Sequence, residues 1–244
     1  MKLRHALILA LLLTFALYNS ITLLTIKEME REQVTIERVI DGDTLTTTDG
    51  RTIRLVNINA PEKNSPLAQA ATTFMKQYEG KEVELEVLGT DKYHRLLGRI
   101  YGAEYLNLAL VQQGLASIFL VQEDELTTFA QAEKRAVEEG RRIWQHAPEY
   151  GCITLDINPE KEYVTITCTC YQGSMKDWYL KDESRKTYKF TGACIHTTLW
   201  SESAEKAGDL SWGVGNVWNN DRDTAYLFSE KNELVARVSY GYPR

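Results

Sequence analysis

A long apolar stretch lies near the amino terminus of the chain. It runs from Ala6 to Ile26 and follows Lys2 and Arg4, whereas a net negative segment comes after it. A helix of this length is about long enough to cross a hydrocarbon core of roughly 30 Å. Because the cations precede the stretch, the amino end is expected on the cytoplasmic side and the rest of the chain outside. Residues 1–26 are therefore predicted to be a transmembrane signal anchor, with a cleaved signal peptide as the alternative.

Strand-like and helix-like patterns alternate through the next segment, residues 32–146. Alternating apolar residues predict strands at residues 44–48, 51–58 and 83–87, and residues 34–36 and 96–101 are predicted to be strands as well. Apolar residues spaced three and four apart predict helices after Ser65-Pro66, from Leu106, and from Phe129 to Trp144. Five strands with accompanying helices suit an α+β domain built on a small barrel of the OB type.

The helical pattern stops after Pro148, and short alternating segments follow. These segments are separated by polar turns and fall at residues 153–157, 164–170, 178–180, 188–190, 225–228 and 234–240. Many short strands without helices are typical of a sandwich of two sheets. Residues 150–244 are therefore predicted to form a second, all-β domain.

Composition limits the function classes that the chain can serve. It carries 28 Lys and Arg residues against 34 Asp and Glu residues, a formal net charge of −6. A protein that binds nucleic acid over a broad electrostatic surface is normally basic. Any contact with a polynucleotide must therefore be local and depend on a few placed cations.

The cysteines indicate the compartment of the protein. All four lie in the second domain, at Cys152, Cys168, Cys170 and Cys194. Outside the cytosol, an even set within one domain predicts two disulfides. Cys168 and Cys170 would lie roughly 6.6 Å apart on one strand face, too far for a bond between them, so each should pair with one of the other two. A zinc site is the alternative, but the usual pair of short ligand spacings is missing.

Three short polar clusters occur at predicted strand ends of the first domain. Asp41 and Asp43 flank a glycine and could turn toward one hard cation, although such a sequence by itself is usually a solvated turn. Arg54 lies among apolar strand residues, and Glu62 follows a proline at the start of a loop. The third cluster is the turn Asp91–Leu96, which carries two basic residues and an aromatic ring.

In combination these clusters resemble the staphylococcal nuclease, or thermonuclease, family. The resemblance runs from about Val34 to Trp144. It rests on three motifs in a fixed order: Asp41-Gly42-Asp43-Thr44, then Arg54-Leu55 through Pro61-Glu62, then Asp91-Lys92-Tyr93 with Arg95. Predicted helical segments near Gly114 and Trp144 follow these motifs. Any one of these matches is only suggestive, whereas the ordered set is specific.

The resemblance implies catalytic roles for Arg54, Glu62 and Arg95. Two guanidinium groups can neutralise the charge that grows on a phosphodiester during attack by water. A carboxylate can hold or deprotonate that water. In the same way, Lys92 and Tyr93 would contact a substrate phosphate. The implied activity is hydrolysis of DNA or RNA that leaves 3′-phosphate ends.

The resemblance also implies a calcium ion. Its ligands would be Asp43, Asn59 and the carbonyl of Ala60, with Asp41 behind them. The family normally has an aspartate where Asn59 stands, so the affinity for calcium is expected to be reduced.

The second domain resembles a lamin-tail domain from about Cys152 to Tyr240. The resemblance rests mainly on Val217-Trp218-Asn219-Asn220 followed by Asp223-Thr224. It implies an immunoglobulin-like sandwich that binds or tethers, to nucleic acid, a wall polymer or a protein. Trp178 and Trp218 are expected to be core residues rather than parts of a site.

These predictions together describe an exported, calcium-dependent nuclease with a carboxy-terminal binding domain. Its expected partners are a DNA or RNA substrate, the membrane through residues 6–26, and a cell-envelope or nucleic-acid ligand of the second domain. Its expected location is the cell membrane with the catalytic domain outside, or secretion if the signal is cleaved. The alternative is a weakened, nuclease-like protein of the envelope that binds nucleic acid or serves adhesion.

Overall fold

The computed structural model describes residues 31–63, 65 and 67–243. The predicted signal anchor at residues 1–26 lies outside this part of the chain. Within it, the helices are all too short or too polar to cross a membrane.

The first domain is a closed five-stranded barrel with three α-helices. The barrel strands pair in the order β1-β2-β3-β6-β5, and β1 returns to β5 to close the sheet. Two further short strands, β4 and β7, pair outside it. The bounds are β1 Arg31–Val39, β2 Thr44–Thr47, β3 Thr52–Leu55, β4 Ile58–Asn59, β5 Glu82–Thr90, β6 Leu96–Tyr101 and β7 Ser117–Ile118, with α1 Ala68–Lys76, α2 Leu106–Gln112 and α3 Leu126–Glu138. The predicted α+β barrel is confirmed.

The predicted strand over residues 51–58 is wrong in one respect, because the chain turns in its middle. β3 ends at Leu55 and β4 begins at Ile58. Asn57 lies in the turn with a φ of 69°, a left-handed conformation that asparagine tolerates better than most residues. Its side chain accepts a hydrogen bond from the backbone N–H of Gln122 at 2.9 Å and donates to Glu125. These contacts with a distant loop redirect the chain, and alternation along the sequence does not reveal them.

The second domain consists of two four-stranded sheets, ordered β11-β10-β14-β15 and β13-β12-β9-β8. Apolar side chains of both sheets, such as Ile166 and Leu227, form one core between them. Trp178 and Trp218 are buried in it, as expected. The bounds are β8 Ile153–Asn158, β9 Tyr163–Cys168, β10 Tyr179–Lys181, β11 Thr187–Lys189, β12 Thr197–Trp200, β13 Leu210–Ser211, β14 Asp223–Phe228 and β15 Leu234–Tyr240. The all-β architecture is confirmed, although β12 and β13 were not predicted, because their residues show no clear alternation of apolar and polar side chains.

The two disulfides have the expected pattern. Cys152 bonds Cys170, and Cys168 bonds Cys194, with Cα–Cα distances of 4.8 and 6.0 Å. Each member of the Cys168/Cys170 pair thus takes one of the other two cysteines.

The domains meet along α3 and the short 3₁₀ helix Arg142–Trp144. The ring of Trp144 stacks on Tyr226 at 5.1 Å and on Phe228 at 6.2 Å. On α3, the buried Glu133 accepts hydrogen bonds from the Tyr226 hydroxyl at 2.9 Å and from Arg237 at 2.6 Å. The second domain is therefore held against the barrel by buried apolar and charged contacts.

Candidate active site

A cleft of about 870 Å³ lies at the rim of the barrel, where the second domain approaches it. Residues from both domains line it. Among them are almost all of the predicted site residues, namely Asp41, Asp43, Arg54, Asn59, Glu62, Lys92, Tyr93 and Arg95. Ala60 has its carbonyl oxygen at the same place, where it accepts a hydrogen bond from another residue of the cleft, Arg185. The fold therefore brings together residues that are spread over three separate sequence clusters.

Arg54 lies at the floor of the cleft on β3. Its Nη2 donates to the Asn59 Oδ1 at 2.6 Å and to the Ile58 carbonyl at 2.8 Å, and its Nη1 donates to the Leu55 carbonyl. Only 9% of the residue is exposed. Burial lowers the pKa of its guanidinium from the usual value, and Arg185 and Arg95 lower it further. Protein acceptors thus take up much of its donor capacity and fix its position.

The Asp41-Gly42-Asp43 turn lies beside Arg54. The Asp43 Oδ2 is 3.4 Å from the Arg54 Nη2 and accepts the backbone N–H of Ala60 at 2.7 Å. Asp41 accepts the backbone N–H of Asp43 at 3.2 Å. A Cβ on Gly42 would lie 2.6 Å from the Cβ atoms of both Ala60 and Ala71, so only glycine fits between the aspartates. Burial and the neighbouring Asp43 raise the pKa of the Asp41 carboxyl.

Arg95 lies across the cleft on the turn before β6. Its Nε donates to Asp91 at 2.8 Å, and its backbone N–H donates to the same carboxylate at 3.0 Å. Burial opposes ionisation of Asp91, but the hydrogen bonds from Arg95 and Tyr93 outweigh it and lower the pKa of the carboxyl. Tyr93 is 65% exposed and has the Lys92 Nζ 5.1 Å from its ring centre. Asp91 therefore holds the turn that presents these three side chains.

Asn59 connects the two domains through both ends of its amide. Its Oδ1 accepts from Arg54, and its Nδ2 donates to the backbone carbonyl of Glu183 at 2.8 Å. Glu183 belongs to the turn between β10 and β11 of the second domain. Asn59 therefore bridges the barrel floor to the neighbouring domain.

Arg185 is a residue of the cleft that sequence reasoning missed. Its Nη2 lies 3.0 Å from the Asp43 Oδ2 and donates to the Ala60 carbonyl at 2.7 Å. Its Nη1 forms an ion pair with Glu62. In the sequence it belongs to an ordinary polar turn between two short strands, and no motif distinguishes it. Only the approach of the domains reveals it.

This arrangement bears on the predicted calcium ion. Arg185 contacts Asp43 and the Ala60 carbonyl, and Arg54 donates to the Asn59 Oδ1. The proposed oxygen ligands are thus bound to guanidinium groups, and a dication there would lie against Arg185. Across the described residues, His, Cys, Asp and Glu side chains do not gather in a group of three or more that could hold a metal ion. The residues as arranged do not fit calcium, and the calcium site stays a prediction.

The cleft suits an anionic ligand. Four cations, Arg54, Arg95, Arg185 and Lys92, line it together with four carboxylates, in a chain whose overall charge is negative. These cations are the local set that composition required. Phe119 and Leu120 also line it and add apolar surface. A phosphodiester flanked by bases matches this pattern of charge and apolar area.

Comparisons with known proteins point the same way. The sequence model of the family described as "Staphylococcal nuclease homologue" matches residues 52–146. Two Escherichia coli proteins, one of them from strain O157:H7, are each named "Uncharacterized endonuclease". Each is 34% identical to this chain over 119 residues, which is 46% of this chain and 76% of the relative.

Proposed function

Because this chain belongs to the staphylococcal nuclease homologue family, we propose that the cleft hydrolyses phosphodiester bonds of DNA or RNA. The single observation that supports this most is that Arg54, Glu62 and Arg95 line one cleft although they come from different elements. Their side chains supply the two kinds of group that the reaction needs, which are cations for the phosphate and a carboxylate for the water.

In the proposed reaction, the phosphate lies between the two guanidinium groups. Water attacks phosphorus and forms a new P–O bond, while the bond to the leaving oxygen breaks. Glu62 takes the proton of the attacking water, and the leaving oxygen gains a proton from solvent. Arg54 and Arg95 stabilise the added negative charge, for which a planar guanidinium is better shaped than a lysine ammonium.

The test is digestion of single- and double-stranded DNA and of RNA by the full chain. Glu62→Gln should lower the rate by about 10²- to 10⁴-fold, the usual contribution of a general base. Glu138→Gln is the matched control. The side chain of Glu138 is 61% exposed, close to the 69% of Glu62, but Glu138 lies on α3. Equal rates for Glu62→Gln and the parent chain would remove the catalytic assignment.

A second candidate, binding without hydrolysis, is favoured by one observation. Arg185 already forms an ion pair with Glu62, the proposed base. If the chain retains oligonucleotides by charge and cleaves none of them, this second function replaces the first. Filter binding beside the digestion distinguishes the two.

We also propose that the second domain is a lamin-tail-like binding domain and that the protein works outside the cytosol. Two disulfides support an oxidising compartment, and the apolar stretch before residue 27 supports export through a membrane anchor or a signal peptide. Mass spectrometry of the amino terminus from a membrane fraction would distinguish an anchor from a cleaved signal.

A further inference from the structure

Three oxygen atoms of the barrel domain contact the guanidinium of Arg185. Asp43 and Glu62 each contribute a carboxylate oxygen, and Ala60 contributes a carbonyl oxygen. These three groups come from the Asp-Gly-Asp turn and from the loop after β4. Such a set of negative and neutral oxygens selects a cation, and in this structure the cation is a side chain of the second domain.

The turn that carries Arg185 is held in place by its own hydrogen bonds. Asp182 accepts from the Ser184 hydroxyl at 2.6 Å and from the Lys186 backbone N–H at 2.7 Å. Arg185 itself has a φ of 76°, an uncommon conformation for a residue other than glycine. Strain of this kind is retained where the surroundings fix it, and it is common at functional sites.

The amide side chain of Asn59 suits the position of the turn that carries Arg185. Its Nδ2 donates to the Glu183 carbonyl, two residues before Arg185. An aspartate at position 59 would set a carboxylate against that carbonyl and would leave it without a donor. The amide therefore allows the turn to approach, whereas the carboxylate that favours a metal ion would oppose it.

We propose that Arg185 is the resident cation of the cleft and takes the place of a divalent metal ion between Asp43, Ala60 and Glu62. This inference rests on the proposed function, which it deepens. The contacts above use three of the five N–H groups of the guanidinium, and two are left for a phosphate. Arg185 then orients Glu62 and adds a third guanidinium to the cleft, so hydrolysis proceeds without divalent metal.

The decisive measurement is calcium binding by isothermal titration calorimetry on the full chain. The parent chain should release no binding heat at millimolar calcium, whereas Arg185→Ala should bind calcium with a dissociation constant of about 10⁻⁴–10⁻³ M. Arg185→Ala combined with Asn59→Asp should bind it more tightly still. Arg222→Ala is the control, since Arg222 also joins the domains, through Glu123, and should behave as the parent. Equal binding by the parent and Arg185→Ala, or binding by neither, overturns the proposal.

Cleavage in the presence of a chelator tests the consequence. The parent should keep its rate in excess EDTA, and Arg185→Ala should lose at least tenfold under the same conditions. If the parent needs calcium, or if Arg185→Ala with calcium is faster than the parent, the arginine blocks a metal site and the proposal is wrong. If the parent cleaves under no condition, the proposed function fails, and the calcium titration still decides where Arg185 binds.

Discussion

Two of the places where the domains touch differ in chemistry. The aromatic contact consists of Trp144, Tyr226 and Phe228 together with the buried pair Glu133–Arg237. The cleft contact consists of Asn59 with Glu183, and of Asp43 and Glu62 with Arg185. The rings and Glu133 of the first are buried, whereas Glu62 in the second is 69% exposed and opens to the cleft.

The difference separates stability from chemistry. Buried stacked rings and a buried ion pair hold the domains in one arrangement, because parting them would expose apolar surface and an unpaired charge. The cleft contact depends on that arrangement, since Arg185 reaches Asp43 only when the second domain is in place. Breaking the aromatic contact should therefore affect both places, and breaking the cleft contact should affect only one.

The largest effect is expected from Glu133→Ala. The substitution leaves the Arg237 guanidinium buried without its partner and removes the acceptor of the Tyr226 hydroxyl and of the Ile118 backbone N–H. Removing one member of a buried pair costs about 3–5 kcal/mol. Urea unfolding should show this loss, whereas Arg222→Ala, at the exposed pair with Glu123, should change stability by about 0–1 kcal/mol. Similar losses for the two variants would contradict the distinction between the contacts.

A smaller effect is expected from Asn59→Asp. The variant removes the hydrogen bond to the Glu183 carbonyl and places a charge beside it, which costs about 1–3 kcal/mol. Attraction to Arg54 offsets part of this cost. The matched control is Asn220→Asp, because Asn220 is exposed and a surface substitution should stay within about 0.5 kcal/mol. If Asn59→Asp unfolds at the same temperature as the parent, the hydrogen bond between Asn59 and Glu183 contributes nothing to stability.

A further effect is expected in the pH dependence of stability. Burial, with the neighbouring Asp223, raises the pKa of Glu183 from 4.5 to about 8. A carboxyl with a raised pKa binds its proton more tightly in the folded chain than in the unfolded chain. Its contribution to the free energy of unfolding is therefore complete below pH 4.5 and is lost as the pH rises through about 8.

Glu183→Gln should abolish the part of the pH dependence of stability that comes from Glu183. The amide keeps the shape that contacts Thr224 and Tyr242, and it does not ionise. The melting temperature of the parent should fall further than that of the variant as the pH rises from 5 to 8. Parallel melting curves for the two chains would show that Glu183 does not titrate in this range.

Much of the fold could be predicted because it follows from local pattern. The sequence pattern located β6 and β15 to the residue, and the glycine between Asp41 and Asp43 signalled the turn that the structure shows. The turn at Asn57 could not be predicted, because its cause is a pair of contacts with Gln122 and Glu125. The short strands β12 and β13 are set by their neighbours in the sheet, and their own few residues carry too weak a pattern.

The candidate site divides in the same way. Asp43, Arg54, Glu62 and Arg95 could be predicted because their residue types and order form a family motif, and the cleft contains all of them. Their neighbour Arg185 lies 142 residues from Asp43 in the sequence. Its polar turn resembles any other, so its role depends on how the second domain is placed.

The order of residues alone was enough to specify a barrel, an all-β partner and two disulfides, because each is encoded by short-range periodicity, spacing or composition. A nuclease-like set of side chains followed from the resemblance of its motifs to a known family. The packing of one domain on the other specified the rest. It decided that an amide bridges to a carbonyl and that an arginine meets two carboxylates in the cleft. Those contacts come from complementary surfaces far apart along the chain, and such complementarity exists only after both domains have folded.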